Sequence, residues 1–236
     1  MMIILKKKTV IAALVIFATV CLLGIAVGTA VFTEAKFAKA TVGKTVVIDA
    51  GHGGRDGGVV GKVTGVKESD INLSIAKSLR HFLESKGYKV VMTRTTTDGL
   101  YGIATQNRKT KDMNTRKKII ADTQPDLVVS IHQNSFPSGL EHGAQVFYAP
   151  HSALGGQMAE TVQNVLNANL NANRTHKKGD YFILQCSEYP SLLVECGFLS
   201  NAAEEQLLIS AAYQEKVAYT IFTGIHTVLL DGAKKE

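Results

Sequence analysis

The chain has 236 residues, 45% of them hydrophobic and 19% charged, enough for one substantial core plus a short appendage. Its 26 lysines and arginines against 20 acids give a formal net charge of +6, a mild basic excess compatible with an anionic surface. No Lys/Arg stripe with interleaved aromatics is present, which argues against a nucleic-acid partner. Three cysteines are too few for a disulfide scaffold.

Lys6, Lys7 and Lys8 precede a stretch from Thr9 to Thr33 that carries no charge and is mostly Ala, Val, Ile, Leu and Gly. A lysine cluster before an apolar run is an export signal, because the positive end stays in the cytoplasm. The run exceeds the roughly 7–15 apolar residues of a cleaved signal and is long enough to cross about 30 Å of hydrocarbon. It is expected to remain as a membrane anchor, although Ala38-Lys39-Ala40 offers a small-x-small cleavage spacing. Without the three lysines, the exported part keeps half of the chain's formal charge of +6. Cys21 lies in the run, and Cys186 and Cys196 are expected as buried thiols rather than a bridge.

After a linker at 34–43, strand and helix patterns alternate. Thr45–Asp49 is a β-branched apolar run, as a buried strand requires. Asp70–Lys86 places Ile71, Ile75, Leu79, Phe82 and Leu83 on one helical face, and Gly87 stops it. Tyr88–Thr93 is a second strand, Met113–Asp122 a short helix, Asp126–Ile131 a third strand and Gly143–Tyr148 a fourth. His151–Asn171 is helical, Tyr181–Leu184 and Leu192–Cys196 are two further strands, and helices at Ala203–Ile209 and Tyr213–Leu230 complete the chain. This alternation predicts an α/β fold, a single mostly parallel sheet of about six strands with helices on both faces. Working groups then collect beyond the carboxyl ends of the strands.

Three of those ends carry polar residues that packing does not need. The first strand leads into Asp49-Ala50-Gly51-His52-Gly53-Gly54 and the third into Ser130-Ile131-His132-Gln133-Asn134. The last holds a lone acid, Glu195, between Val194 and Cys196. A carboxylate in an apolar strand is costly unless paired, protonated or near a cation. Zinc hydrolysis needs three protein ligands, an open position and a nearby base. His52 and His132 supply two imidazoles, Glu68 fits as the third ligand, and Glu195 as the base.

These blocks resemble the zinc-dependent N-acetylmuramoyl-L-alanine amidases. Val47–Gly54 with Asp56, Gly57 and Glu68 is similar to that family's opening, Ser130–Asn134 to its histidine strand, and Leu193–Asn201 to its glutamate strand. The resemblance runs from about Lys44 to Leu230 and implies Zn2+ held by His52, Glu68 and His132, with Glu195 catalytic. Size and the N-terminal segment further resemble the germination-specific, spore-cortex members of endospore formers. The implied reaction is hydrolysis of the amide between N-acetylmuramic acid and L-alanine, leading towards muramic δ-lactam. The implied place is outside the cytoplasmic membrane or in the forespore intermembrane space. The domain plan is then 1–33 signal or anchor, 34–43 linker and 44–236 catalytic domain. A catalytically idle wall-binding module and a zinc peptidase acting within the stem peptide are the alternatives.

Family members often have Ala where Gln133 and Ser135 stand, and a residue other than cysteine at Cys196, which should point away from the metal. The stretch from His151 to Tyr181 is too short for the autoinhibitory helix of the division enzymes, which implies an open site. A partner protein that orders the Glu68 loop would tighten metal binding. His142 is the rival ligand. Arg116 is expected in a structural ion pair, and Arg174 and Lys178 in a solvated loop. Asp49 either supports a ligand or caps its loop, and Asn134 either holds an acyl oxygen or stabilises a turn. The glycines at 51–58 lack a phosphate-loop spacing and are expected to bring the His52 backbone to the metal.

Overall fold

The computed structural model describes residues 43–232, together with Ile16 and Thr19. The lysines, Cys21, the rest of the apolar run and most of the linker lie outside the described residues. Among the described residues no helix is long and apolar enough to cross a membrane.

Six strands make one sheet: β1 (Thr45–Ala50), β2 (Lys89–Met92), β3 (Leu127–Asn134), β4 (Gln145–Tyr148), β5 (Lys177–Lys178) and β6 (Ser191–Phe198). Their order is β2-β1-β3-β6-β4-β5. The first four run parallel, β4 is antiparallel to β6, and β5 is parallel to β4, so the expected mostly parallel sheet is a mixed one. The helices are α1 (Glu68–Ser85), α2 (Arg108–Thr123), α3 (Ala153–Leu170), α4 (Phe182–Gln185), α5 (Ala202–Leu208) and α6 (Ala211–Gly232).

Strand side chains alternate between the faces, and this sorts the core into two parts. Val46 and Ile48, Leu127, Val129 and Ile131, and Leu192, Val194 and Cys196 face the apolar stripes of α1, α3 and α6 in the main core. Each fully buried aliphatic side chain there contributes about 1.5–3 kcal/mol. Val47, Val128 and Leu193 face the other way, towards Ile120 of α2 and Ile183 and Leu184 of α4. Continuing along that second face towards the carboxyl ends gives Asp49, then Ser130 and His132, then Glu195. The thinner side of the sheet therefore carries the polar groups.

Three departures from expectation stand out. Tyr181–Leu184 is not a strand: α4 is a single helical turn there, and the edge strand is the two-residue β5. Ile183 and Leu184 are buried there and Phe182 is exposed. Such a short apolar run has no period of its own and takes the form its neighbours pack best. The exposed lysines of β5 blunt the sheet edge. Helix α2 begins at Arg108 rather than Met113, because its first turn is polar and leaves no apolar signal. Strand β3 runs on to Asn134, so His132 belongs to the sheet itself. Both described cysteines are free, with Cys196 buried as expected and Cys186 only half-buried.

Candidate metal centre and its cleft

His52 is delivered by the turn that follows β1 and has φ +62°, a left-handed conformation uncommon outside glycine. Buried arginines hold that turn. Arg116 donates to the His52 carbonyl (2.7 Å) and the Ala50 carbonyl (2.9 Å). Arg94 donates to the carbonyls of Ala50 (2.9 Å), Gly51 (2.9 Å) and Ser69 (2.8 Å). Arg116 is in turn fixed by Asp49 (2.5 Å) and Asp112 (2.6 Å). Asp49 also accepts from Thr93 (2.8 Å) and Ser130 (2.6 Å). Asp49 thus supports His52 through Arg116, and the expected structural ion pair of Arg116 is present.

Glu68 opens α1, where the helix dipole favours a carboxylate. Its Oε1 lies 2.9 Å from His132 Nδ1 and 3.3 Å from His52 Nε2. The same oxygen accepts from the Gln133 amide (3.1 Å) and Asn72 Nδ2 (3.1 Å), and Oε2 accepts from the Val59 amide (2.8 Å). Gln133 Nε2 donates to Asn72 Oδ1 (3.2 Å), extending the support. Burial works against the Glu68 charge, but the bonds from His132 and His52 hold its carboxyl well below the ordinary range. His52 is likewise affected first by burial, which lowers it, and is raised on balance by Glu68 and Asp56.

Donor atoms of His52, Glu68 and His132 all lie within 4.8 Å of one another. The two rings meet edge to face, with centroids 4.9 Å apart. His52 presents Nε2 because Asp56 Oδ1 takes Nδ1 at 2.8 Å, and Lys109 braces the other Asp56 oxygen at 2.6 Å. Burial raises the Asp56 carboxyl, but Lys109 and His52 bring it down to about 2. A carboxylate behind a metal-facing histidine fixes tautomer and ring orientation.

Glu195 stands beside His132 in register on the neighbouring strand. It is 7% exposed, and its buried Oε2 has no hydrogen-bond partner. Burial raises its carboxyl to about 7, with Glu68 adding repulsion and His132 and His52 pulling the other way. A buried carboxylate oxygen left without a donor is matched by a cation or water in the adjacent space. The donor set and this orphan oxygen both fit a divalent metal.

The groups open into a cleft of ≈ 670 Å³ whose lining also includes Tyr181, Phe182 and Leu193. No residue of α3 lines it; Met158, Ala159, Val162 and Leu166 of that helix are packed in the core. The hairpin between Gly57 and Lys67, which leads to Glu68, is closed by a bridge between Val60 and Lys67. Buried Glu205 of α5 pins its tip, accepting from the amides of Val63 (2.9 Å) and Thr64 (2.7 Å) and from the Thr64 hydroxyl (2.7 Å).

Residues 46–227 match the model of the N-acetylmuramoyl-L-alanine amidase family. The chain belongs to that family. It is 38% identical over 188 residues to the germination-specific N-acetylmuramoyl-L-alanine amidase of Bacillus subtilis, covering 78% of each chain. It is 34% identical over 186 residues to the amidase LytC of the same organism, covering 78% of this chain but 35% of that longer protein. The solved CwlD amidase of Clostridioides difficile superposes with a TM-score of 0.76 at 37% identity, covering 79% of this chain and 98% of that one.

In this amidase the structure brings together all four residues singled out from the sequence. His142 is exposed, with Nδ1 3.1 Å from the Leu140 carbonyl, and stands outside the group. The Asn134 side chain accepts from the Ser135 amide at 2.7 Å while lining the cleft. Arg174 pairs with Glu141 (2.6 Å) and lies over the Phe198 ring (4.9 Å), so it is structural rather than solvated. Sequence reasoning missed Asn72, Arg94 and Lys109 altogether and gave Asp56 no role. Asn72, four residues after Glu68 on one helix, was within reach of a spacing argument; Lys109 and Arg94 carried no such signal.

Proposed function

We propose that this amidase is zinc-dependent and cleaves the amide between the lactyl carboxyl of N-acetylmuramic acid and the L-alanine of the stem peptide. The reading is supported by one arrangement: three donors within 4.8 Å beside the orphaned, buried oxygen of Glu195. His52, Glu68 and His132 would hold the ion, a two-imidazole, one-carboxylate set suited to catalytic zinc. Zinc, when bound, supplies Lewis acidity and makes water acidic enough to attack near neutral pH. Glu195 takes the proton of the attacking water and hands it to the departing alanine nitrogen as the C–N bond breaks. A cation held beside Glu195 would lower its carboxyl from about 7 and keep it basic at neutral pH. Asp56 and Lys109 keep His52 oriented, and the Asn72–Gln133 pair keeps Glu68 in place. Glu195→Gln is expected to retain zinc and lose at least a hundredfold in muropeptide cleavage, read by mass spectrometry. Near-normal cleavage would overturn the role of Glu195. Products with a free alanine amine and an intact sugar separate amide cleavage from peptidase action.

We further assign the reaction to spore-cortex maturation, ahead of muramic δ-lactam formation, outside the cytoplasmic membrane. The germination-specific relative supports this, and the apolar run Thr9–Thr33 would tether the catalytic domain to the membrane. The CwlD structure is that of a complex with the GerS lipoprotein, which supports a partner for this chain as well. Such a partner would tighten zinc binding by reinforcing the hairpin before Glu68. An unchanged zinc affinity on adding the partner would remove that role.

A further inference from the structure

A second pocket of ≈ 490 Å³ adjoins the catalytic cleft and shares Asp56, Lys109 and Asp112 with it. Its remaining walls are Arg55, Tyr101 and Arg108. The two acids are already matched: Asp56 by Lys109 and His52, and Asp112 by Arg116 and the Leu100 amide (2.6 Å). The two arginines are not. The Arg55 guanidinium has no hydrogen bond or ion pair among the described residues. Arg108 spends Nε on the Ala104 carbonyl (2.7 Å), lies 5.8 Å over the Tyr101 ring, and has no acidic partner among the described residues. The Tyr101 hydroxyl accepts from the Arg55 amide (2.9 Å), which ties the two sides of the pocket together. The pocket therefore offers two unmatched guanidinium groups one step from the reacting centre.

We propose that this pocket is a carboxylate-recognition subsite that engages the stem peptide on the leaving-group side. The inference rests on the amide cleavage proposed above. In that substrate the muramic carboxyl is consumed in the scissile amide and the sugars are uncharged. The carboxylates belong to the peptide beyond L-alanine. A guanidinium fork matches a planar carboxylate with two parallel hydrogen bonds, and the aromatic face of Tyr101 holds one fork in a fixed plane. A carboxylate held there also sets the direction in which the peptide leaves the reacting centre.

The test uses the full chain loaded with zinc and two synthetic probes: a muramoyl-tripeptide with free peptide carboxylates, and the same molecule with those carboxyls as carboxamides. The wild type should show a roughly tenfold lower KM for the carboxylate probe. Arg55→Gln and Arg108→Gln should each erase most of that preference, with kcat within twofold and the carboxamide KM unchanged. Equal treatment of the two probes by the wild type, or equal weakening of both by the variants, would overturn the subsite. Arg55 is exposed, so its variant tests the idea without a folding defect. Calorimetric binding of the free tripeptide to the Glu195→Gln chain reads the subsite apart from turnover. Arginine-dependent binding without wild-type turnover would sink the amidase reading and keep the subsite. Turnover without arginine-dependent binding would sink the subsite alone.

Discussion

Gly51→Ala tests the metal centre without touching a ligand. A Cβ on Gly51 would lie 2.3 Å from His132 Nε2 and 2.4 Å from its Cε1, whereas ordinary contacts begin at 3.4 Å. One of the two must retreat by about 1 Å, several times the ±0.2 Å within which metal–ligand distances are held. The Gly51 backbone cannot yield easily: its amide donates to the Ile131 carbonyl (3.1 Å), and its own carbonyl accepts from Arg94 and Asn72. The imidazole therefore rotates out of place. Loss of a properly placed ligand should lower zinc affinity at least a hundredfold, about 3 kcal/mol. Competitive titration of the full chain against a chromophoric chelator measures this, and far-UV circular dichroism of the metal-free variant checks that the fold persists. Wild-type zinc affinity in the alanine variant would refute the claim that His132 must occupy that position to bind metal.

Asn72→Ala removes one donor to Glu68 Oε1 and should lower zinc affinity roughly tenfold, measured by the same titration; no change would mean the backbone amides suffice. The Glu195 carboxyl titrates near 7 in the metal-free fold against an ordinary 4.5. The native state holds the extra proton across that window, so metal-free stability should fall as pH rises through it, by up to about 3 kcal/mol. Urea melts with chelator at pH 5 and pH 8 should show this loss, and Glu195→Gln should reduce it; an identical pH dependence in both proteins would contradict the assignment. Arg116→Met leaves Asp49 buried without its cation and should cost about 3–5 kcal/mol in urea unfolding, while a cost below about 1 kcal/mol would show that the ion pair is dispensable.

The sheet was legible where burial wrote an apolar run. Val46–Ile48 and Leu127–Val129 are buried on both faces, and the polar residues just beyond them stood out against it. His52, His132 and Glu195 were visible for that reason, since each breaks a pattern that packing alone would continue. What supports them left no such mark. Asp49 reaches Thr93, Arg116 and Ser130 across 44, 67 and 81 residues, and only the finished sheet makes them neighbours. Glycine at 51 was expected to free the backbone for His52. Its main office is to leave room for His132, a steric fact that no local pattern contains. The helical turn at Phe182–Gln185 was misread because two adjacent buried residues can belong to either structure until the opposing surface is known.

The fastening of the hairpin by Glu205 at its tip, and by Glu68 at its base, makes it a bank held at two points, which a partner can brace further, rather than a flap. A polymer threads onward past any point at which it is cut, so an enzyme cannot swallow it and shut. A channel open along its length lets the strand lie across it.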